Sequence, residues 1–213
     1  MKKSRSCFLL ILSLLAVSLQ GCIEMAAVGA GAAALGFEDR RTAGTLVEDE
    51  GIELRATNRV SERFGDRVHV NVTSYNRSVL VTGEVPDANT KAEIGKIVQG
   101  VPSVRSLTND LQVAGGASLS SRAGDASITG KVKARFLDSG RFSAVHVKVI
   151  TEASVVYLLG IVTQSEANEA VELARTTGGV RKVVKVFEYC KPTDAVCARG
   201  AKPKAEEPGK SGS

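Results

Sequence analysis

Apolar residues recur along the middle of the chain in two rhythms, and each rhythm appears twice. Ile52, Ala56 and Val60 stand four apart, as do Ile128, Val132 and Phe136, a spacing that puts each trio on one face of a helix. After each trio the period drops to two: Val68, Val70, Val72 and then Val79, Val81, Val85 in the first copy, Val145, Val147, Val149 and then Val156, Leu158, Val162 in the second. Such alternation predicts strands with one buried face, joined by tight turns at Tyr75-Asn76-Arg77 and Glu152-Ala153. A second helix is predicted over 88–100 and 165–177, the latter with Ser165 as N-cap. A third strand closes each copy, over 104–113 and 180–189.

The two copies are an internal repeat. Segment 51–113 matches 126–189, with Val70 to Thr73 answering Val147 to Ile150 and Val79 to Val85 answering Val156 to Val162 at an offset of 77. The closing Val104 and Val180 stand at an offset of 76, so one residue is lost in between. A period of this length is too long for a solenoid unit and suits two tandem domains. The order helix, strand, strand, helix, strand predicts an α+β module, αββαβ, whose three-stranded sheet is covered on one face by two helices. The expected domains are 48–114 and 124–190. Each is small enough to have only a marginal core of its own, so the two are expected to pack on one another.

Gly83 and Gly160 occupy equivalent strand positions, and Val-x-x-Leu or Val-x-x-Val pairs (Val104 with Leu107, Val180 with Val183) precede the last strand of each copy. With this layout the repeat resembles the BON domain, over the greater part of the chain. Asp39-Arg40-Arg41-Thr42-Ala43-Gly44-Thr45 ahead of the first copy strengthens the match. The resemblance implies a non-enzymatic module that binds phospholipid and helps the cell envelope withstand osmotic and chemical stress. The glycines themselves are read as places where a side chain would collide with a packed helix or bend the sheet.

The N-terminus changes where this pair of modules is expected to work. Lys2, Lys3 and Arg5 precede an apolar run from Phe8 to Leu19 that is too short to span a bilayer comfortably, which describes a leader over 1–21. Leu19-Gln20-Gly21-Cys22 resembles a bacterial lipobox, implying cleavage before Cys22 and acylation of that cysteine. Ile23 in the next position, where aspartate is associated with inner-membrane retention, points to the outer membrane on its periplasmic face. Residues 22–47 are expected to be a lipidated tether, and 191–213, ending in a Lys, Glu, Pro, Gly and Ser mixture, a disordered tail.

Losing the leader removes three positive charges from a formal net of +5. The remainder is near neutral and shows no aromatic-and-basic strand pattern, so nucleic acid is excluded as a partner. Of four cysteines, Cys190 and Cys197 remain for a disulfide in an oxidising periplasm. No Gly-x-Ser-x-Gly, phosphate loop or Cys-x-x-Cys is present, so the chain is expected not to be an enzyme and to need no cofactor. The two histidines, His69 and His146, sit at one place in the repeat and are expected on the helix-free sheet faces; as a pair they fall short of a metal site. The run Glu48-Asp49-Glu50 reads as a solvated charge cluster.

One surface is expected to meet lipid. The first helix of the second copy carries Lys131, Lys133 and Arg135, with Arg141 and Phe142 just beyond. At about 100° per residue from Ile128, Leu137 falls near 180°, away from the core stripe. An apolar tip ringed by cations suits an interface with anionic phospholipid. The competing expectation is a protein adaptor, in which a sheet face or edge docks an envelope protein and the modules themselves bind no lipid.

Overall fold

The computed structural model describes residues 39–114 and 119–199, with side chains from 122 in the second stretch. The leader, Cys22, the tether as far as 38 and the tail from 200 lie outside the described residues. Both modules belong to one compact unit.

In the first module, helix α1 (Ala43–Phe64) is capped by Thr42, whose hydroxyl accepts from the Thr45 amide, and ends at Gly65 with φ +56°. Its buried face carries Ile52, Ala56, Val60 and Phe64. Strands β1 (His69–Tyr75) and β2 (Ser78–Val85) form an antiparallel hairpin. Helix α2 (Ala88–Gln99) follows, capped by Asp87. The third strand then comes in two pieces, β3 (Ser106–Asn109) and β4 (Gln112–Val113), both parallel to β2. The second module repeats the plan: α3 (Leu119–Ser139), β5 (Val147–Glu152), β6 (Val155–Val162), α4 (Gln164–Arg175), β7 (Lys182–Tyr189), and a short α5 (Ala195–Ala198). The fold is thus α+β, with β2 and β6 each central, an antiparallel neighbour on one side and a parallel one on the other.

Several boundaries depart from expectation. Helix α1 begins at Ala43, inside the stretch expected to be tether. The N-cap of α4 is Thr163, not Ser165: its hydroxyl accepts from the Glu166 amide while the Glu166 carboxylate accepts from the Thr163 amide, a reciprocal capping box. The segment 191–199, expected as tail, carries α5, and Cys197 is bonded to Cys190 across a Cα separation of 6.1 Å.

The hairpin turns explain the acidic run. Asn76, Arg77, Ala153 and Ser154 all have positive φ, the two-residue turn geometry that matches strand twist. None of the four is glycine, and each turn is held from below by an aspartate. Asp49 accepts from the amides of Asn76 (2.8 Å) and Arg77 (2.7 Å) and from the Ser74 hydroxyl (2.7 Å). Asp125 accepts from the amides of Ala153 and Ser154, each at 2.8 Å. Asp49 is therefore a buried turn cap, 3 % exposed, and not part of a solvated cluster.

Gly83 and Gly160 are required by main chain at the start of the neighbouring strand, not by a packed α-helix. A Cβ on Gly83 would overlap the His69 carbonyl oxygen, and one on Gly160 that of His146. Gly83 also takes φ +117°. Opposite it, at Asp110 and Leu111, pairing lapses between β3 and β4, whereas β7 pairs with β6 without a break.

Each module has a core between its sheet and its helices, around Val79, Val81, Ile94 and Leu111 in the first and Val149, Leu158, Phe136 and Ala170 in the second. A third cluster joins them. Tyr75 and Leu80 of the first module pack with Tyr157, Leu159 and Ile161 of the second. The helix-free sheet faces meet there, leaving the helices outside. Polar bonds rim this seam: Tyr157 donates to Asp110 (2.8 Å), Asn76 to Glu188 (2.7 Å), and Lys148 pairs with Glu53 (3.1 Å). Burial, and then the Asp110 carboxylate, push the Tyr157 phenol up, so it stays a neutral donor.

Candidate functional site

Helix α3 positions the expected lipid-contact residues because its stripe of Ile128, Val132 and Phe136 is locked into the core, which forces the opposite face outward. Leu137 is 70 % exposed. Lys131 and Lys133 are exposed too, and neither has an acidic partner among the described residues. Lys133 stands one turn before Leu137 on nearly the same face, whereas Lys131 lies about 120° further round the helix.

The remaining members of the expected set serve other purposes. Phe142 is 5 % exposed and packs edge-on against Phe136, with ring centroids 5.1 Å apart. Gly140, at φ +60°, turns the chain back under α3 and carries that ring into the core, so Phe142 does not reach a membrane. Arg135 is half-buried and donates to the Leu173 carbonyl (2.7 Å) and to the hydroxyls of Thr176 and Thr177 (2.9 and 3.0 Å). It caps the C-terminal end of α4, where a cation is favoured. Arg141 is exposed but paired with Glu169 at 2.5 Å.

A second polar centre was not foreseen. Arg40, expected in a tether, is 3 % exposed. It donates to both Glu166 oxygens (2.7 and 2.9 Å), to the Ile161 carbonyl (2.8 Å) and to the Cys197 carbonyl (3.1 Å). The residues leading into α1 and the disulfide-closed turn after β7 are thereby pinned together on the second module. Arg41 next to it bonds Asp39 and Asp49 and lies over the Tyr75 ring at 4.0 Å. Burial works against the Glu166 carboxylate. Hydrogen bonds from His146, Arg40 and the Thr163 amide outweigh it and hold the group well below the usual carboxylate range.

The histidines part company. His146 lies in a 3-10 turn (Ala144–His146), is 1 % exposed, and bonds Glu166 through Nδ1 at 3.1 Å. That corrects its expected place on an open sheet face. His69 does stand on the seam face of β1, opposite Glu84 of β2.

Residues 52–115 and 124–191 each match the BON domain family. Among curated proteins, the chain is 38 % identical over 175 residues to the outer membrane lipoprotein DolP of Haemophilus influenzae, covering 81 % of this chain and 91 % of that one. It is 32 % identical over 153 residues to a 21 kDa hemolysin of Actinobacillus pleuropneumoniae, covering 71 % and 79 %. To the osmotically-inducible protein Y of Escherichia coli it is 32 % identical over 117 residues, covering 54 % and 58 %. With two matched copies, both built as αββαβ, the chain belongs to the BON-domain family as a tandem member.

Proposed function

We propose that this protein is an outer-membrane lipoprotein, acylated at Cys22 and facing the periplasm, whose second BON domain touches anionic phospholipid and supports envelope integrity under stress without catalysing a reaction. The name of the Haemophilus relative and the lipobox support the location. The observation that carries the lipid reading is Leu137, large, apolar and 70 % exposed, with Lys133, which lacks an acidic partner, one turn before it on nearly the same face. Burying a leucine contributes about 1.5–3 kcal/mol and the neighbouring lysine about 1 kcal/mol at an anionic surface. The sum of roughly 2.5–4 kcal/mol corresponds to a dissociation constant of roughly 1–15 mM. So weak a contact does not hold a protein by itself; the acyl anchor holds the chain at the bilayer and the tip orients the second domain on it.

The mature chain carrying Cys22→Ser, which has no acyl group, is expected to sediment in part with phosphatidylglycerol vesicles at millimolar lipid and low salt, in keeping with a weak contact. Leu137→Glu or Lys133→Glu is expected to reduce the bound fraction at least fivefold, and equal sedimentation of all forms would refute the contact.

The adaptor reading has one observation of its own. Val47 and Leu54 on α1 are 70 % and 63 % exposed, and their spacing of seven puts them on one face. Absence of any vesicle binding without the acyl group would favour it.

A further inference from the structure

The seam between the two domains gathers three metal-binding side chains that neither domain could assemble alone. His69 and Glu84 are directly opposed on β1 and β2, so both side chains leave the same face of the first sheet. Glu152 comes from the end of β5 in the second domain. One nitrogen or oxygen from each of the three lies within 4.8 Å of the others. Both carboxylates are buried, Glu84 at 7 % exposure and Glu152 at 8 %.

Two features show that the cluster is incomplete as a protein-only arrangement. The Glu84 Oε2 is buried and has no hydrogen-bond partner, while nearly all such atoms in folded proteins have one. Neither Glu84 nor Glu152 is paired with a lysine or arginine among the described residues. Two carboxylates held close together away from water repel one another unless a positive charge joins them. Asn71 supplies the outer support: its amide donates to Glu152 Oε2 at 2.8 Å and lies 3.3 Å from His69 Nε2, the kind of neighbour that orients ligating groups.

We propose that His69, Glu84 and Glu152 bind one divalent cation of the zinc type, stapling the first BON domain to the second. One imidazole and two carboxylates are a zinc donor set, with metal–ligand distances near 2.0–2.2 Å, which puts donors about 3.4 Å apart in a tetrahedron. Closing from a spread of up to 4.8 Å takes roughly 1.4 Å of side-chain movement at most. The seam opens to solvent at a hollow bordered by His69, Asn71, Glu152 and two cations, Arg122 and Lys133, neither of which pairs with the carboxylates; it gives the ion a way in and leaves the fourth position for water. Because the donors come from both domains, the cation binds the docked pair and stabilises it by mass action. Lys133 lines the same hollow, but none of the three donors belongs to the Leu137 tip, so zinc binding and lipid binding are tested by different substitutions.

The test is isothermal titration of zinc chloride into the full chain in detergent, with magnesium and calcium chloride as comparators and thermal melting in parallel. One equivalent of zinc should bind with micromolar or tighter affinity, calcium and magnesium at least a hundredfold more weakly, and zinc should raise the melting temperature. Glu84→Gln keeps the shape and removes one repelling charge. It should raise the metal-free melting temperature while weakening zinc at least tenfold, and Glu152→Gln should weaken zinc similarly. Absence of zinc binding, or zinc affinity and zinc-dependent melting unchanged in both variants, would overturn the proposal.

Discussion

Replacing Arg40 with alanine is expected to cost about 3–5 kcal/mol of stability, the range seen when one partner of a buried ion pair is removed. The variant would leave the Glu166 carboxylate without its bidentate partner and would strip a donor from the Ile161 and Cys197 carbonyls. Lysine should not rescue it, since a point charge cannot reach two carboxylate oxygens and two carbonyls in one plane. Urea denaturation of the mature chain measures the loss. The same contact predicts an acid dependence. Glu166 is held below its unfolded value, so its contribution is complete above the ordinary carboxylate range near pH 4.3 and is lost as pH falls through the lower folded value. In Arg40→Ala that decline should be shallower, because only the bonds from His146 and the Thr163 amide remain.

Gly83→Ala should be nearly as damaging, at about 3–5 kcal/mol, because it combines overlap in a packed interior with a backbone conformation that alanine avoids. The overlap is with the His69 carbonyl oxygen, and the φ is +117°. Main chain cannot yield as a side chain can without disturbing the β1–β2 pairing. Gly160→Ala meets the His146 carbonyl in the same way but has no positive φ to maintain, so about 2–3 kcal/mol is expected. For a body of this size, 1 kcal/mol moves the melting temperature by roughly 2–4 °C. Melting curves should therefore rank the wild-type protein above Gly160→Ala, and that above Gly83→Ala.

These effects trace what could be read along the chain and what could not. The repeat, the element order and the core stripes of Ile52, Ala56, Val60 and Ile128, Val132, Phe136 were legible because they rest on local period alone. Leu137 was legible for the same reason, since helical phase places it opposite the stripe. Phe142 was not, because its fate depends on a reversal at Gly140 beyond the helix. Arg40 was hidden because its partners lie more than a hundred positions away, and a basic residue before a helix looks like any solvated charge. Asp49 hid inside an acidic run, although a signal existed: Asp49 and Asp125 each stand three residues before the first apolar residue of the core stripe, Ile52 and Ile128. The histidines shared a repeat position but not a role. The turn that begins the second hairpin includes His146, whereas the corresponding turn in the first copy (Gly65–Arg67) ends before His69. Glu84 faces His69 within one hairpin, but Glu152 belongs to the other module, so only docking could bring it to them.

The docking also changes what is left for partners. The helix-free sheet faces, which could have served an adaptor, are occupied by one another around Leu80 and Leu159. Contacts with other molecules therefore fall to sheet edges and helix surfaces, and on the helices Leu137 with Lys133 on α3 competes with Val47 and Leu54 on α1.

An NMR titration of the mature Cys22→Ser protein with phosphatidylglycerol micelles decides between those surfaces. Chemical-shift changes centred on Lys133 and Leu137, with the α1 face unperturbed, are the expected result. Changes centred on Val47 and Leu54, or none at all, would contradict membrane contact through the second domain.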